Sequence, residues 1–276
     1  MNNISRLSSS MKTSHSPLVT VVTVSYNDRS RLEKTIKNVI SQSYDRIEYI
    51  VIDGGSNDGS VDLLKKYDNQ IALTISEPDR NVFDAMNKGI KQATGDWIIF
   101  MNSGDFFYEN IMIEKVMALI TKKIDFIYGD TQVNYKNGFR RVSKAKKING
   151  MLWKELPFVH QSLFAKTELL NQHPFDLQYE NCADFDFFLW AFHRGYRFCQ
   201  LNQIISLIEA GGISDSNRIS GAKEKRQIIK KYYHGSFIDL WFIVIITKTI
   251  IIGIIKRLSP PRLITKLIKL KYILIR

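Results

Sequence analysis

Between Leu18 and Tyr108 the chain alternates two hydrophobic rhythms. Continuous apolar or β-branched runs at 18–25, 47–52, 71–75 and 97–101 carry no polar alternation, which predicts strands buried on both faces. Between the first two, Leu32, Ile36, Val39 and Ile40 recur at helical spacing, and helices are predicted over 61–67 and 82–93. Strand and helix in strict alternation predict a parallel sheet covered on both sides, an α/β fold of Rossmann-like type.

The second half is less regular. It predicts a helix over 111–121, a strand over 126–128, a hairpin at Asn137-Gly138, a strand over 162–165 and a helix over 184–194. Two further strands are expected at 196–201 and 204–208. No internal repeat is visible.

Residues 237–255 are almost wholly apolar, interrupted by Asp239 and Lys248. That length lies at the lower edge of a membrane span, and a central lysine is costly there. Lys256-Arg257, Pro260-Pro261 and a lysine-bearing amphipathic stretch at 263–275 follow. The pattern suits a helix pair lying in the membrane interface; the alternative is a helix packed on the domain with its basic face in water. Residues 1–17 are serine-rich with scattered bases and no apolar core, which excludes a secretory signal peptide and predicts a disordered arm.

Composition sharpens this picture by location. Of 276 residues, 45% are hydrophobic and 24% charged, which excludes disordered and collagen-like classes. Cys182 and Cys199 are too few for a disulfide framework or a cysteine-built zinc site and fit a reducing compartment. The net charge is +12, and from Arg218 onward there are 14 Lys and Arg against two acids; the preceding residues balance. A neutral body with a basic tail argues against a nucleic-acid-binding domain and for contact with an anionic surface. Three segments follow: an arm at 1–17, a folded α/β domain at 18–217 and a basic, apolar helical tail at 218–276.

In open parallel α/β sheets, ligands bind beyond the carboxyl ends of the strands. Here every such end is polar: Ser25-Tyr26-Asn27, Asp53, Glu77-Pro78-Asp79, and Asn102-Ser103-Gly104-Asp105. The run Asp53-Gly54-Gly55-Ser56-Asn57-Asp58-Gly59-Ser60 is not an EF-hand calcium loop, because its twelfth position is Leu64 where a bidentate Glu is needed. A dinucleotide fingerprint is excluded too, since the first strand-to-helix turn has no glycine. What remains is a strand-end carboxylate for a nucleotide base, with glycines permitting close approach.

Val22-Thr23-Val24-Ser25-Tyr26-Asn27, the run from Asp53, Ala85-Met86-Asn87-Lys88-Gly89, Ala93-Thr94-Gly95-Asp96 and the segment 100–105 together resemble glycosyltransferase family 2. The resemblance is to its bacterial exopolysaccharide, colanic-acid and capsule branch, and covers about 18–208. It implies a GT-A fold, a nucleotide-sugar donor such as a UDP-sugar, a divalent metal (Mn2+ or Mg2+) and inversion at the anomeric carbon.

By position, the resemblance gives Thr23, Ser25, Tyr26 and Asp53 to the base and ribose. Asp79, Asp84, Asn87 and Lys88 fall to the nucleotide side of the cleft, and Asn102, Ser103 and Gly104 to the donor. The family's acid-any-acid metal motif is eroded to Asn102-Ser103-Gly104, leaving Asp105 as the metal carboxylate. Cys182-Ala183-Asp184-Phe185-Asp186 resembles the family's Glu-Asp motif, with Asp184 as the catalytic base and Asp186 as its rival. Trp153, His160 and Gln161 fall on the acceptor side.

The expected activity is transfer of a sugar to a lipid-linked saccharide acceptor, by a cytoplasmic enzyme peripheral on the inner face of the membrane through its tail. Two alternatives stand beside it. A sugar nucleotidyltransferase needs a Gly-rich loop after the first strand, which 26–31 lacks; a degenerate saccharide-binding or scaffold protein draws on the eroded metal triplet.

Overall fold

The computed structural model describes residues 16–121, 123–135, 137–148, 152, 154, 156–211, 218–235, 238–247 and 251. The arm before residue 16, Trp153 and the stretch 263–275 lie outside the described residues. The chain divides into two compact units, Met1–Gly211 and Gly212–Arg276.

In the first unit, β1 (Val19–Ser25) is buried along its whole length. It is flanked in parallel by β2 (Ile47–Asp53) and β4 (Trp97–Phe100), and β3 (Leu73–Ser76) lies parallel beyond β2. Helix α1 (Arg29–Ile40), α2 (Ser60–Lys66) and α3 (Val82–Gln92) make the connections. The chain runs outward from β1 to β3 and then returns to the other side of β1 as β4. The strand order thus reverses between β1 and β4, and the carboxyl ends of the strands at such a reversal are where open α/β sheets bind ligands in a crevice.

Beyond β4 the sheet becomes mixed. β8 (Leu163–Lys166) pairs antiparallel with β4, β6 (Phe126–Asn134) antiparallel with β8, and β9 (Phe198–Glu209) parallel with β6. The short β5 (Phe106–Phe107) closes on β9, and β7 (Arg140–Ser143) forms the expected hairpin with the far end of β6. The two strands expected at 196–201 and 204–208 are one. The pairing jumps from Gly129–Leu201 to Asp130–Ile204, so Asn202 and Gln203 are extra residues in a bulge and do not end the strand. Gly129 permits it: a Cβ there would lie 2.7 Å from the Gln203 carbonyl oxygen. The helix expected over 111–121 is shorter, α4 (Met112–Met117). Two further helices complete the unit, α5 (Thr167–Gln172) and α6 (Ala183–His193).

One face of the sheet packs on α1 through Leu32, Ile36 and Val39, which are buried with Val19, Val21 and Ile99. The other face carries an aromatic cluster. Phe175 contacts Phe83 of α3 at 5.3 Å, Phe100 of β4 at 5.6 Å and Phe187 of α6 at 6.0 Å between ring centroids. Helix α6 buries Phe185, Phe187, Phe188 and Leu189, so it is apolar nearly all round and sits inside the domain.

The second unit contains α7 (Arg218–Tyr232) and helical residues 238–247. Asp239 joins them by accepting from Arg226 Nε (2.6 Å) and pairing with Lys230 (2.9 Å). Ile238 and Phe242 are buried, whereas Leu240, Ile243 and Val244 are exposed. Among the described residues, no helix is long and apolar enough to cross a membrane.

Candidate active site

At the end of β2, Asp53 is fully buried. Its carboxylate accepts from Ser56 N–H (2.9 Å), Ser56 Oγ (2.5 Å) and Ser76 Oγ (2.6 Å). Those three bonds shape the turn at Gly54–Ser56 and spend most of the acceptor capacity of the group. Asn27, with φ of +48°, locks this turn to the end of β1: its N–H donates to Ser56 Oγ (2.8 Å) and its Oδ1 accepts Asn57 N–H (2.9 Å). Asp53 therefore builds the floor of the cleft from below.

Above it Tyr26 is 67% exposed, and Tyr26 and Asp79 both approach Gly54. A Cβ at Gly54 would lie 3.1 Å from Asp79 Oδ2 and 3.2 Å from Tyr26 Cδ2. The glycine thus clears a slot between an aromatic ring and a carboxylate. Lys88 Nζ closes the outer side, 2.6 Å from Asp79 Oδ1, 2.8 Å from Glu77 Oε1 and 3.0 Å from the Pro78 carbonyl oxygen. Burial raises the Asp79 pKa, against the lowering effect of Lys88.

Other residues expected on the nucleotide side have structural engagements. Thr23 is fully buried; its hydroxyl donates to the Met101 carbonyl (2.7 Å) and meets Tyr49 Oη at 3.1 Å, beneath the crevice. Asp84 Oδ2 accepts Arg80 N–H (3.0 Å), while Asn81 caps α3. Asn87 forms a two-way clamp with Phe175: Nδ2 donates to its carbonyl (2.8 Å) and Oδ1 accepts its N–H (2.9 Å). Ser25 Oγ is buried and has no hydrogen-bond partner among the described residues.

After β4, Gly104 has φ of +91°, the left-handed region that favours glycine. A Cβ there would meet Arg31 Cδ at 3.1 Å, so the arginine lies across this turn. Arg31 is fixed by Asp28 (2.8 Å), and the same Asp28 carboxylate accepts from Ser103 Oγ (2.9 Å). Asp28 occupies the position just before α1, where an aspartate commonly caps a helix. It makes no side-chain capping bond, and Asp58 takes Arg29 N–H instead at 2.8 Å. Asp28 and Arg31 are site-adjacent residues that sequence reasoning missed, since i, i+3 charge pairs on a helix ordinarily signal only a solvated face.

Asp105 is buried, and burial pushes its carboxyl up to about 7 against the opposing pull of His160, Gln161 and Arg31. Gln161 Nε2 donates to Asp105 Oδ2 (3.1 Å). The preceding residue, His160, places Nδ1 3.2 Å from Asp184 Oδ2 at the start of α6. Asp184 Oδ1 accepts the N–H of Phe185 (2.8 Å). Asp186 points elsewhere: it is buried, with its carboxylate 3.7 Å from His173 Nε2, and that imidazole stacks on Trp190 at 4.6 Å.

His160 and Gln161 sit in a 3-10 turn (His160–Ser162) held from beneath by a buried hydroxyl relay, in which Ser162 Oγ meets Thr131 Oγ1 at 2.6 Å and Ser206 Oγ at 2.5 Å. Nothing in the sequence placed Thr131 or Ser206 near this turn.

Among the described residues no three His, Cys, Asp or Glu side chains cluster as a metal site. The donors around Asp105 nevertheless suit a hard divalent cation, which takes oxygen ligands and needs only one or two carboxylates when phosphates and water complete its shell. The buried Asn102 Oδ1 and Gln161 Oε1 both lack a hydrogen-bond partner among the described residues.

An exposed ring, strand-end carboxylates and a further acid on a late helix, gathered at the carboxyl edge of an α/β sheet, suit a transferase class. The sequence model of "Glycosyl transferase family 2" matches residues 20–196, and the chain belongs to that family. It is 33% identical over 189 residues to an uncharacterized glycosyltransferase of Mycobacterium tuberculosis, covering 63% of this chain and 69% of that one. Similarity extends to a PGL/p-HBAD biosynthesis glycosyltransferase of Mycobacterium bovis (26%, 72% and 80%) and to the putative teichuronic acid biosynthesis glycosyltransferase TuaG of Bacillus subtilis (30%, 42% and 47%).

Among solved structures, S. aureus TarS 1-349 in complex with UDP-GlcNAc superposes with a TM-score of 0.62 at 17% identity over 80% of this chain and 69% of that chain. The mannosyltransferase PcManGT of Pyrobaculum calidifontis, in complex with GDP-Man and Mn2+, gives 0.64 at 16% identity over 95% and 82%. These likenesses establish the GT-A fold, and the chain is a glycosyltransferase.

Proposed function

We propose that the protein is an inverting glycosyltransferase that moves a sugar from a nucleotide-sugar donor, a UDP-sugar, to a lipid-linked saccharide during synthesis of a bacterial surface polysaccharide. The observation that carries this reading is the turn at His160-Gln161, whose consecutive side chains contact Asp184 and Asp105. It brings an acid beside the donor phosphates and an acid for the acceptor hydroxyl to one place. UDP-GlcNAc bound to TarS and the similarity to TuaG, a putative teichuronic acid biosynthesis glycosyltransferase, support the donor class and the pathway class.

The base stacks on Tyr26 and is met by Asp79 across the slot that Gly54 keeps open. A divalent cation, supported by the Mn2+ complex of PcManGT, would be held by Asp105 with Asn102 Oδ1, and would supply Lewis-acid neutralisation of the departing diphosphate. Asp184 takes the proton from the acceptor hydroxyl as that oxygen attacks the anomeric carbon. The bond from that carbon to the diphosphate oxygen breaks on the opposite face, which inverts the configuration. His160 Nδ1 steadies the Asp184 carboxylate during the transfer. The basic tail from Arg218 onward holds the enzyme at the anionic inner face of the membrane, where such an acceptor resides.

The deciding experiment incubates the protein with a panel of nucleotide sugars, with and without Mn2+, and follows transfer to lipid-linked acceptors by mass spectrometry. Metal-dependent transfer that is lost in both Asp105→Ala and Asp184→Asn is the expected result. Wild-type transfer by Asp184→Asn removes the base assignment. Nucleotide binding with no metal-dependent donor cleavage favours a saccharide-binding protein instead.

A further inference from the structure

The charge balance of the first unit conceals a local excess. From Asn137 to Ile148 there are five bases and no acid. Arg140 and Arg141 are exposed on β7, and Lys144, Lys146 and Lys147 are exposed just after it. Asp130 offsets one of them by pairing with Lys144 at 2.7 Å.

Charged edge strands often only guard against unwanted strand pairing. A guard has no use for large apolar side chains, yet Phe139 and Val142 are exposed among these bases, 39% and 36% respectively. Bases interleaved with exposed apolar groups at a hairpin tip match an interface between water and anionic lipid, which rewards both.

The segment is also tied to the chain that leads into His160 and to β6 and β9. The Lys146 N–H donates to the Pro157 carbonyl (2.8 Å), three residues before His160. Tyr128 Oη donates to the Lys146 carbonyl (3.1 Å) and Gln200 Nε2 to the Ala145 carbonyl (2.9 Å).

We propose that the β6–β7 hairpin and the extended segment 144–148 that follows it are a docking surface for an anionic lipid membrane, built into the first unit and distinct in sequence from the C-terminal tail. The bases meet lipid phosphates while Phe139 and Val142 enter the headgroup layer. Because the segment is bonded to the chain leading into His160, docking brings the acceptor side of the crevice to the membrane surface.

The test uses the full chain carrying Asn137→Cys labelled with a polarity-sensitive fluorophore, and the unsubstituted chain taken through the same labelling as control. Vesicles of phosphatidylcholine with phosphatidylglycerol are compared with phosphatidylcholine alone. A blue shift is expected on the anionic vesicles only, reversed by about 0.5 M salt, which shortens the Debye length to roughly 4 Å. Adding Arg140→Gln, Arg141→Gln and Lys147→Gln should weaken the response at least about tenfold, with thermal unfolding unchanged. Vesicle binding that leaves the probe silent, an equal shift on neutral vesicles, or an undiminished response in the triple variant each overturns the proposal. If the triple variant does not fold, the comparison of the two vesicle types on the labelled parent decides.

Discussion

His160 Nδ1 lies 3.2 Å from Asp184 Oδ2, and the next side chain in sequence, Gln161, reaches Asp105 Oδ2 at 3.1 Å. Two carboxylates from distant parts of the chain are thereby held by neighbouring residues of one short turn. This geometry separates the surroundings of Asp184 and Asp186, because Asp186 is turned into the core toward His173.

Asp184→Asn keeps the size of the side chain and removes the base. Transfer is expected to fall by roughly 10²–10⁴-fold, while donor affinity stays at the wild-type level. Single-turnover transfer and calorimetric titration of the donor measure the two quantities separately. The same substitution at Asp186 should chiefly lower stability.

Burial holds the Asp105 pKa at about 7 in the native state, against an ordinary value of about 3.8 for the free group. Between those values the native protein retains a proton that the unfolded chain has lost. The stabilising contribution is complete below the lower value, declines as pH rises through the window, and is gone above the upper one. In chelator-treated protein, the stability advantage of Asp105→Asn over wild type should therefore grow from about pH 4 to about pH 7 and then level off. Thermal denaturation across that range tests it; a gap that does not vary with pH contradicts the assignment.

Asn87 is expected to matter for folding before it matters for ligand. Asn87→Ala abandons both backbone groups of Phe175, and leaving them unpaired costs about 1–3 kcal/mol each at most. Urea denaturation should register a loss of about 2 kcal/mol or more. Nucleotide affinity of the remaining folded protein should change little.

Tyr26 offers the opposite case. Its ring is largely exposed beside Gly54 and Asp79, so truncation removes little packing. Tyr26→Ala should weaken nucleotide binding about tenfold, since a stacked base is worth ~1–3 kcal/mol, and leave the unfolding temperature almost unmoved. Tyr26→Phe should retain most of the affinity.

The parallel half was legible because its signals are local. Buried strands there read as continuous apolar runs, and 47–52 and 82–93 fall within a residue or so of β2 and α3. The second half was less so. The two-residue β5 has no periodicity to read, and the polar pair Asn202-Gln203 looked like a strand end when it is a bulge over Gly129. Asp28 carried a capping signature, yet its carboxylate goes to Arg31 and Ser103, partners that outcompete a backbone N–H already taken by Asp58.

From its order of residues alone, this protein has a doubly covered α/β sheet with polar chemistry at each strand end, because strand burial and strand-end position depend on neighbours in the chain. Which partner each acid meets was left to tertiary structure. Asp184 and Asp186 are two residues apart on one helix, and only the packing of α6 turns the first toward His160 and the second toward His173. Thr23 and Asn87 sit within motifs that suggest ligand contact, and only the folded chain shows their polar atoms engaged by Met101, Tyr49 and Phe175. Those partners lie far away in sequence, and a hydrogen bond between distant segments leaves no periodic trace along the chain.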